Sequence, residues 1–450
     1  MPLPCRLSAL TLAAFLSAAP FANADPYSDA VIDWNAISID AINTATGMGP
    51  MGTGRVTQGT VLDLAKIQLA VYDAVQAIEQ RYEPYHVVID DASGSPDAAA
   101  AKAAHDMLVY LYPLQAAVLD MKYHDYLTQK GLAEDDLGVD VGAAAAAGII
   151  ALRLNDGTFP VPPPIFVGGT GPGEWRPTES FLPGPPPSFA PMAAAWIPTV
   201  TPFTLRSQTQ FRPMAPPRLN SARYFHEYEE ARTLGALSGS TRTAAQTEFA
   251  YFFATNYLVT WNQTARELAA AHVHHIADSA RLFALASMAT ADTLIEVWDA
   301  KRFYNFWRPL TAIREGDNDD NAKTVGDPNW QPLINTPNYP DYTSGANGFS
   351  ASFSRSLALF FGTDHLPFTL TTTNAIAMQK TRSYNRFSDA RTDVVEARIL
   401  EGIHFRSADE VSRRMGQHVA KWVFNHFLKP VDGSAGDQGD DSDPDDEDEP

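Results

Sequence analysis

The sequence has very little cysteine and no excess of positive charge. Cys5 is the only cysteine in 450 residues, so disulfide frameworks and cysteine-ligated zinc sites are excluded. Aspartate and glutamate number 53 against 33 lysines and arginines, which gives a formal net charge of −20. A surface of this sign repels nucleic acid and anionic lipid head groups, so we expect neither nucleic acid nor a membrane as a partner.

Long apolar runs are missing beyond the first two dozen residues. Residues 1–24 combine one basic residue, an apolar stretch and a terminal Ala-Asn-Ala, which is typical of a signal peptide. Its removal would take Cys5 with it, and the mature chain would then have no thiol for nucleophilic catalysis. We therefore predict a signal peptide and a secreted or periplasmic location.

Sustained strand-like alternation is also missing, whereas apolar residues recur at helical spacing along most of the chain. Such spacing predicts helices within 60–79, 98–111, 139–154, 221–300, 349–361 and 389–428. Sixteen of the 33 prolines lie between positions 160 and 217, where no helix or central strand can absorb them. The sequence thus predicts an all-α protein built of helical bundles, divided into a signal peptide (1–24), an N-terminal helical region (25–157), a proline-rich wrap or linker (158–220), a second helical domain (221–430) and an acidic disordered tail (431–450).

Charged and polar residues in three distant stretches suggest a chemical site. Lys301 and Arg308 are seven residues apart, so on one helix they would point the same way, and Pro309 would end that helix. Arg398 and His404 are six apart, and a break at Gly402 would let both converge on one site.

Between these two stretches, Ser344 and Gly345 precede an apolar helical pattern that starts at Phe349. Their amides are therefore expected at the positive end of a helix. Lysine, arginine, serine, glycine amides and histidine together suit a tetrahedral, multiply charged oxyanion. His272, His274 and His275 also cluster, but no ligand partner stands at a suitable spacing, so a polar or capped helix face is favoured over a metal site.

The order of these motifs resembles that of the vanadium-dependent haloperoxidases and the related type-2 phosphatidic acid phosphatases. The family carries lysine with Arg-Pro seven residues on, then Ser-Gly-His, then arginine with histidine six residues on. The resemblance spans about residues 221–430 and implies a helical-bundle fold with one oxyanion site. It implies vanadate as cofactor, with His404 as the metal ligand and the oxygens held by Lys301, Arg308, Ser344, Gly345 and Arg398. Trp298 and Tyr339 fall where haloperoxidases carry aromatic residues near the halide.

Two positions depart from the family pattern. Ala346 replaces the histidine of the second motif, and a methyl group cannot transfer a proton. The acidic residue expected four positions after His404 is Ala408, with Asp409 one step later. The sequence alone assigns no proton-transfer role to Asn347 or to Asp341, which could equally be a turn residue.

The resemblance implies an enzyme that uses hydrogen peroxide to oxidise a halide. The oxidised halide then reacts with a small organic acceptor. Because Ala346 removes proton assistance, iodide or bromide is expected to be oxidised more readily than chloride. Two alternatives stay open: a phosphate-ester hydrolase in which His404 is the nucleophile, and an oxyanion binder without catalytic activity. The oligomeric state is not predicted.

Overall fold

The computed structural model describes residues 27–47, 55–179 and 189–431. Within these residues it contains thirteen α-helices and one small two-stranded sheet, so the predicted all-α class is confirmed. The predicted signal peptide and the acidic tail from position 432 lie outside the described residues. The helices are α1 (Ala30–Gly47), α2 (Thr57–Glu79), α3 (Pro96–Leu111), α4 (Ala116–Lys130), α5 (Leu137–Arg153), α6 (Ala222–Leu234), α7 (Ala244–Phe253), α8 (Tyr257–His272), α9 (Ile276–Tyr304), α10 (Pro309–Arg314), α11 (Gly345–Phe361), α12 (Phe387–Leu400) and α13 (Arg406–His426).

Helix α9 lies at the centre of the molecule, and nearly all of its 29 residues are buried. One side packs against α2 of the N-terminal bundle, and the other packs against α11 and α13. Their apolar side chains merge into one hydrophobic core that runs from the first helix to the last. Since burial of apolar surface is the main stabilising term in folding, this shared core fixes the two bundles relative to each other. None of the described helices is long and apolar enough to cross a bilayer.

The small antiparallel sheet was not predicted from the sequence. Strand β1 (Phe368–Thr371) pairs with β2 (Thr381–Tyr384), with Phe368 opposite Tyr384. Each strand is only four residues long, which is too short to show a clear alternation of apolar and polar residues. The hairpin packs against α8, and the hydroxyl of Thr264 on α8 donates to the carbonyl of Thr369 on β1.

Acidic residues of α9 hold the proline-rich segment against the core. Asp292 accepts the backbone N–H groups of residues 203, 204 and 205, and Glu296 accepts that of Phe211. One turn further on, Asp299 forms a two-point ion pair with Arg212. These three carboxylates follow one another at helical spacing, so they form a stripe along one face of α9. This part of the segment is therefore an ordered wrap on the helix that carries Lys301.

The stripe on α9 leads to a prediction about stability at alkaline pH. Burial, together with the neighbouring carboxylates of Asp292 and Asp299, raises the pKa of Glu296 to about 8. A carboxyl group with a raised folded-state pKa costs stability as pH rises from the unfolded-state pKa through the folded-state pKa. Glu296→Gln keeps an acceptor for the N–H of Phe211 and removes the ionisation, so it should stabilise the protein by up to roughly 4 kcal/mol at pH 9.

Urea unfolding of both proteins at pH 5 and pH 9 measures this difference. At pH 5, just above the ordinary pKa of glutamate, the two free energies of unfolding should differ by less than about 1 kcal/mol. Asp299→Asn is the control, because its ion pair with Arg212 is lost and the variant should be less stable at both pH values. Equal pH dependence in wild type and Glu296→Gln would contradict a protonated Glu296.

Candidate active site

Lys301 and Arg308 come together, but they do not share a helix as the sequence suggested. Helix α9 ends at Tyr304 because Asn305 adopts the left-handed conformation, with φ of 48°. Arg308 lies beyond that turn as the N-cap of α10, and Pro309 begins α10 instead of ending α9. Proline suits the first helical position because no backbone N–H is needed there. The two cations instead converge on the ring of Tyr339, from which Lys301 Nζ lies 4.8 Å and the Arg308 guanidinium carbon 5.0 Å.

The ammonium group of Lys301 is fully buried and anchored to the backbone. It donates hydrogen bonds to the carbonyls of Pro340, at 2.6 Å, and Asp341, at 3.0 Å. Burial and the nearby guanidinium of Arg308 lower the pKa of Lys301 well below its ordinary value. The two bonds leave one of its three donors for another acceptor.

Arg308 is also fully buried and links the second and third motifs. Its Nε donates to the carbonyl of Tyr339, and its Nη1 donates to the carbonyl of Ile403. The same Nη1 lies 3.0 Å from Nε2 of His404. Its Nη2 is buried and has no hydrogen-bond partner within the described part of the chain. An unpaired, buried guanidinium N–H is costly, so this atom indicates a place for an acceptor that the chain itself does not supply.

Ser344 and Gly345 lie at the amino terminus of α11, as predicted. Ser344 is the N-cap of α11. The backbone N–H of Ser344 donates to the carbonyl of Ala408, and the hydroxyl of Ser412 donates to the carbonyl of Ser344. Gly345 opens the helix, and a Cβ added there would lie 3.3 Å from the indole of Trp298. The glycine therefore lets the indole approach the helix terminus closely.

Arg398 and His404 flank a turn between α12 and α13. Gly402 in this turn has φ of 76°, and a Cβ there would lie 2.4 Å from the carbonyl oxygen of Gly235, so only glycine fits. Arg398 occupies the last turn of α12, as predicted, and His404 lies two residues before α13. The Nη1 of Arg398 is 2.6 Å from a carboxylate oxygen of Glu401, while its Nε is buried without a hydrogen-bond partner in the described structure.

The imidazole of His404 is held between a cation and a carboxylate. Its Nδ1 lies 2.8 Å from Oδ1 of Asp341, and Nη1 of Arg308 lies 3.0 Å from Nε2 and 3.3 Å from Nδ1. Burial, together with the surrounding cations, lowers the pKa of His404 well below its ordinary value, so the ring is neutral near pH 7. Burial raises the pKa of Asp341 to about 7, although Arg308 and Lys301 oppose that shift.

A cavity of about 180 Å³ opens beside these groups. Its lining includes Arg398, His404, Gly345 and Ala346, the residue that replaces the histidine of the second motif. The aromatic pair Trp298 and Tyr339, singled out from the sequence, also lines the cavity. The two aromatic ring centroids are 5.0 Å apart. Lys301, Arg308 and Ser344 lie behind this lining, because none of them is exposed to solvent.

Several residues that the sequence did not single out also belong to this region. Tyr257, from the start of α8, lines the cavity next to Arg398, as do Thr57 and Gln58 at the start of α2. No motif marks these residues, because helices distant in sequence bring them to the site. Glu401 could have been found, since a carboxylate three residues after Arg398 is within pairing distance on a helix.

The acidic residue of the third motif does not contact His404 in the described structure. Asp409 is fully buried on α13 and accepts a hydrogen bond of 2.7 Å from the side-chain amide of Asn347. Burial raises the pKa of Asp409 well above its ordinary value. Asp409 is five residues after His404 instead of four, and it lies against the start of α11.

The histidines around position 274 lie at the junction of α8 and α9. His272 ends α8, and His275 is the N-cap of α9, where its side chain accepts the N–H of Ala277. The described residues contain no group of three or more histidine, cysteine, aspartate or glutamate side chains placed to hold a metal ion. A capping role for His275 agrees with the interpretation favoured from the sequence.

Comparisons by sequence and comparisons by fold both find vanadium haloperoxidases. Residues 281–433 match the family model described as the VCPO second helical-bundle domain. A segment of 95 residues is 36% identical to the vanadium chloroperoxidase of Curvularia inaequalis. That alignment covers 19% of this chain and 15% of the fungal protein, so the chain matches only a small part of that relative's length.

Two solved bacterial structures share the fold over most of the chain. A vanadium-dependent iodoperoxidase superimposes with a TM-score of 0.74 at 23% identity, covering 89% of this chain and 98% of that one. A vanadium-dependent chloroperoxidase in its holo form superimposes with a TM-score of 0.70 at 16% identity, covering 90% and 98%. The predicted relationship is thus confirmed at the level of sequence match and fold: residues 281–433 match the VCPO second helical-bundle model, and the chain has the fold of the vanadium haloperoxidases.

Proposed function

We propose that this protein is a secreted or periplasmic vanadate-dependent haloperoxidase that oxidises iodide or bromide more readily than chloride. Its substrates would be hydrogen peroxide, a halide and a small organic acceptor. The observation that carries the proposal is the convergence of His404 with two buried guanidinium groups that each keep an unpaired N–H. Neither nucleic acid nor a membrane is part of the proposal, because the chain is acidic overall.

The donor set fits vanadate. Arg308 Nη2 and Arg398 Nε are buried donors without acceptors among the described residues, and Arg398 and His404 open onto the same cavity. Oxygens of a tetrahedral oxyanion would satisfy such donors, with guanidinium groups matching its oxygens and an ammonium adding charge. The oxygens would be held by Lys301, Arg308, Ser344, Gly345 and Arg398, and His404 would bind the metal.

The protein contributes binding, orientation and exclusion of water. When bound, vanadate would supply Lewis-acid activation of hydrogen peroxide. Lys301, Arg308 and Ser344 are completely buried, so their donors act in a medium of low dielectric where charge stabilisation is strong. The low pKa of His404 keeps its ring neutral, which leaves a lone pair for the metal.

The halide preference rests on Ala346. This residue lines the cavity beside Arg398 and His404, where the resemblance places an acid-base histidine. Without that side chain, proton transfer depends on solvent or substrate, and a positioned acid or base typically contributes about 100- to 10,000-fold in rate. Halides that are easier to oxidise need less of this assistance, so iodide and then bromide should react faster than chloride.

A halogenation assay with a 1,3-diketone acceptor tests the function. Vanadate-loaded wild type should halogenate the acceptor in the presence of peroxide, with rates falling from iodide to bromide to chloride. His404→Ala should reduce each rate to background, because the metal loses its protein ligand. Equal halogenation by wild type and His404→Ala for all three halides would contradict the proposal.

The pairing of His404 with Asp341 supports a second candidate, a phosphate-ester hydrolase with a His404 nucleophile. Slow turnover of an aryl phosphate without turnover of an alkyl phosphate would favour it, because an aryl leaving group needs little protonation. Tight vanadate and phosphate binding with neither reaction would instead identify an oxyanion binder.

A further inference from the structure

The cavity beside His404 has a second group of lining residues, which are apolar and cannot bind an oxyanion. Val61 of α2, Leu258 of α8, Leu294 of α9 and Phe349 of α11 belong to this group, and each keeps between 4% and 6% of its surface exposed. Hydrogen peroxide and a halide ion gain nothing from such a wall, because its benefit comes from covering the apolar surface of a guest. The wall therefore points to an organic molecule.

Two aromatic side chains extend this apolar wall. The indole N–H of Trp298 donates to the carbonyl of Ala193, at 3.0 Å, so the proline-rich segment fixes the orientation of the indole. The ring of Tyr339 is tilted by 53° against it. Aromatic rings attract one another in tilted and offset arrangements, beyond the effect of the area that they bury. An aromatic guest is thus favoured over an aliphatic guest of equal size.

Neutral polar groups line the same cavity at the starts of α2 and α8. Gln58 is the second residue of α2, and Asn256 is the N-cap of α8; both side chains are half-buried. The side-chain oxygen of Asn256 accepts the N–H of Leu258, which leaves its NH₂ group for another partner. An amide group can bind one hydroxyl of a guest. The lining as a whole suits an apolar ring that carries a hydroxyl group.

The size of the cavity limits the guest to a single ring. Its volume is about 180 Å³. For comparison, an apolar cavity of roughly 150 Å³ accommodates benzene. Vanadate would take the part beside Arg398 and His404, so the remaining space is too small for two fused rings.

We propose that this cavity binds a neutral single-ring phenol, which is the organic acceptor of the halogenation. The inference rests on the proposed function and names the class of its acceptor. A phenol ring is rich in electrons, and in the cavity it would meet the oxidised halide where that species forms. Hydrogen peroxide is the oxidant and the halide is oxidised. Overall, one ring C–H bond breaks and one C–halogen bond forms, while one proton is consumed and two water molecules are released.

Binding of 4-fluorophenol to the vanadate-free protein, followed by fluorine NMR, tests the cavity. Val61 lies four residues after Thr57 and three after Gln58, so all three share the face of α2 that lines the cavity. Val61→Phe adds a ring in this space, and we expect it to weaken 4-fluorophenol binding by about 10-fold or more. Wild type should bind the two-ring probe 6-fluoro-2-naphthol about 10-fold more weakly than 4-fluorophenol, and Val61→Ala should reduce this difference.

Urea unfolding shows whether each variant folds. Absence of saturable 4-fluorophenol binding by wild type, or equal binding by wild type and a folded Val61→Phe, would overturn the proposal. If Val61→Phe does not fold, the Val61→Ala variant decides: an unchanged preference for one ring over two would then place the phenol elsewhere. Because these measurements need no vanadate, phenol binding without halogenation would contradict the haloperoxidase assignment and support the cavity assignment.

A competition experiment tests whether the bound phenol is the acceptor. Vanadate-loaded wild type receives peroxide, bromide and equal amounts of phenol and 2-naphthol, and the ratio of the brominated products is measured. Compared with the ratio that hypobromous acid gives in free solution, the enzyme's ratio should shift about 10-fold towards phenol. An identical ratio would mean that bromination takes place outside the cavity and would refute the acceptor assignment.

Discussion

Ala346→His is expected to raise the rate of bromide oxidation by vanadate-loaded protein by about 100-fold or more. The new imidazole would enter the cavity that Ala346 already lines together with Arg398 and His404. There it could transfer a proton during peroxide activation, a step for which the wild-type residue provides no group. Steady-state halogenation with bromide and with iodide measures the gain, which should be larger for bromide because iodide needs less assistance.

The matched control for this gain is Ala346→Gln. Glutamine fills similar space and forms hydrogen bonds, but it does not transfer protons near neutral pH. If the glutamine variant gained as much as the histidine variant, the effect would come from filling the cavity. If neither gained while vanadate affinity was unchanged, the reaction would not be limited by proton transfer, and the argument for the halide preference would be wrong.

Local patterns predicted several elements near the site correctly. The helix predicted for residues 60–79 runs from Thr57 to Glu79, and the helix expected after Ser344 begins at Gly345. The break at Gly402 was predictable because glycine is strongly favoured where a helix ends in a left-handed turn. In each case the signal lies within a few residues of the feature itself.

Features that depend on contacts between residues distant in sequence could not be predicted. A seven-residue spacing placed Lys301 and Arg308 on one helix, but Asn305 ends α9 between them, and asparagine is a weaker stop signal than glycine. Asp341 looked equally like a turn residue, because its ion-pair partner His404 is 63 positions away in the sequence. The sequence could not decide whether the proline-rich segment is a wrap or a linker. Asp292 and Glu296 of α9 bind this segment through its backbone N–H groups, and backbone groups leave no signature in the sequence.

Loss of the Asp292 carboxylate is expected to destabilise the protein strongly. Asp292 is fully buried and accepts three backbone N–H groups and the hydroxyl of Thr204. Asp292→Ala would leave four buried donors without an acceptor, each costing about 1–3 kcal/mol if water cannot reach it. Because such costs add incompletely, we expect a loss of about 4 kcal/mol in the free energy of unfolding.

Urea unfolding measures this loss, and amide hydrogen exchange locates it. Exchange should accelerate at residues 203–205, because these amides would lose their acceptor. Asp299→Ala is the matched control on the same helix: its ion pair with Arg212 is partly exposed, so its loss should cost less than about 1 kcal/mol. A cost below 1 kcal/mol for Asp292→Ala, with unchanged exchange at 203–205, would mean that apolar packing alone holds the proline-rich segment against α9.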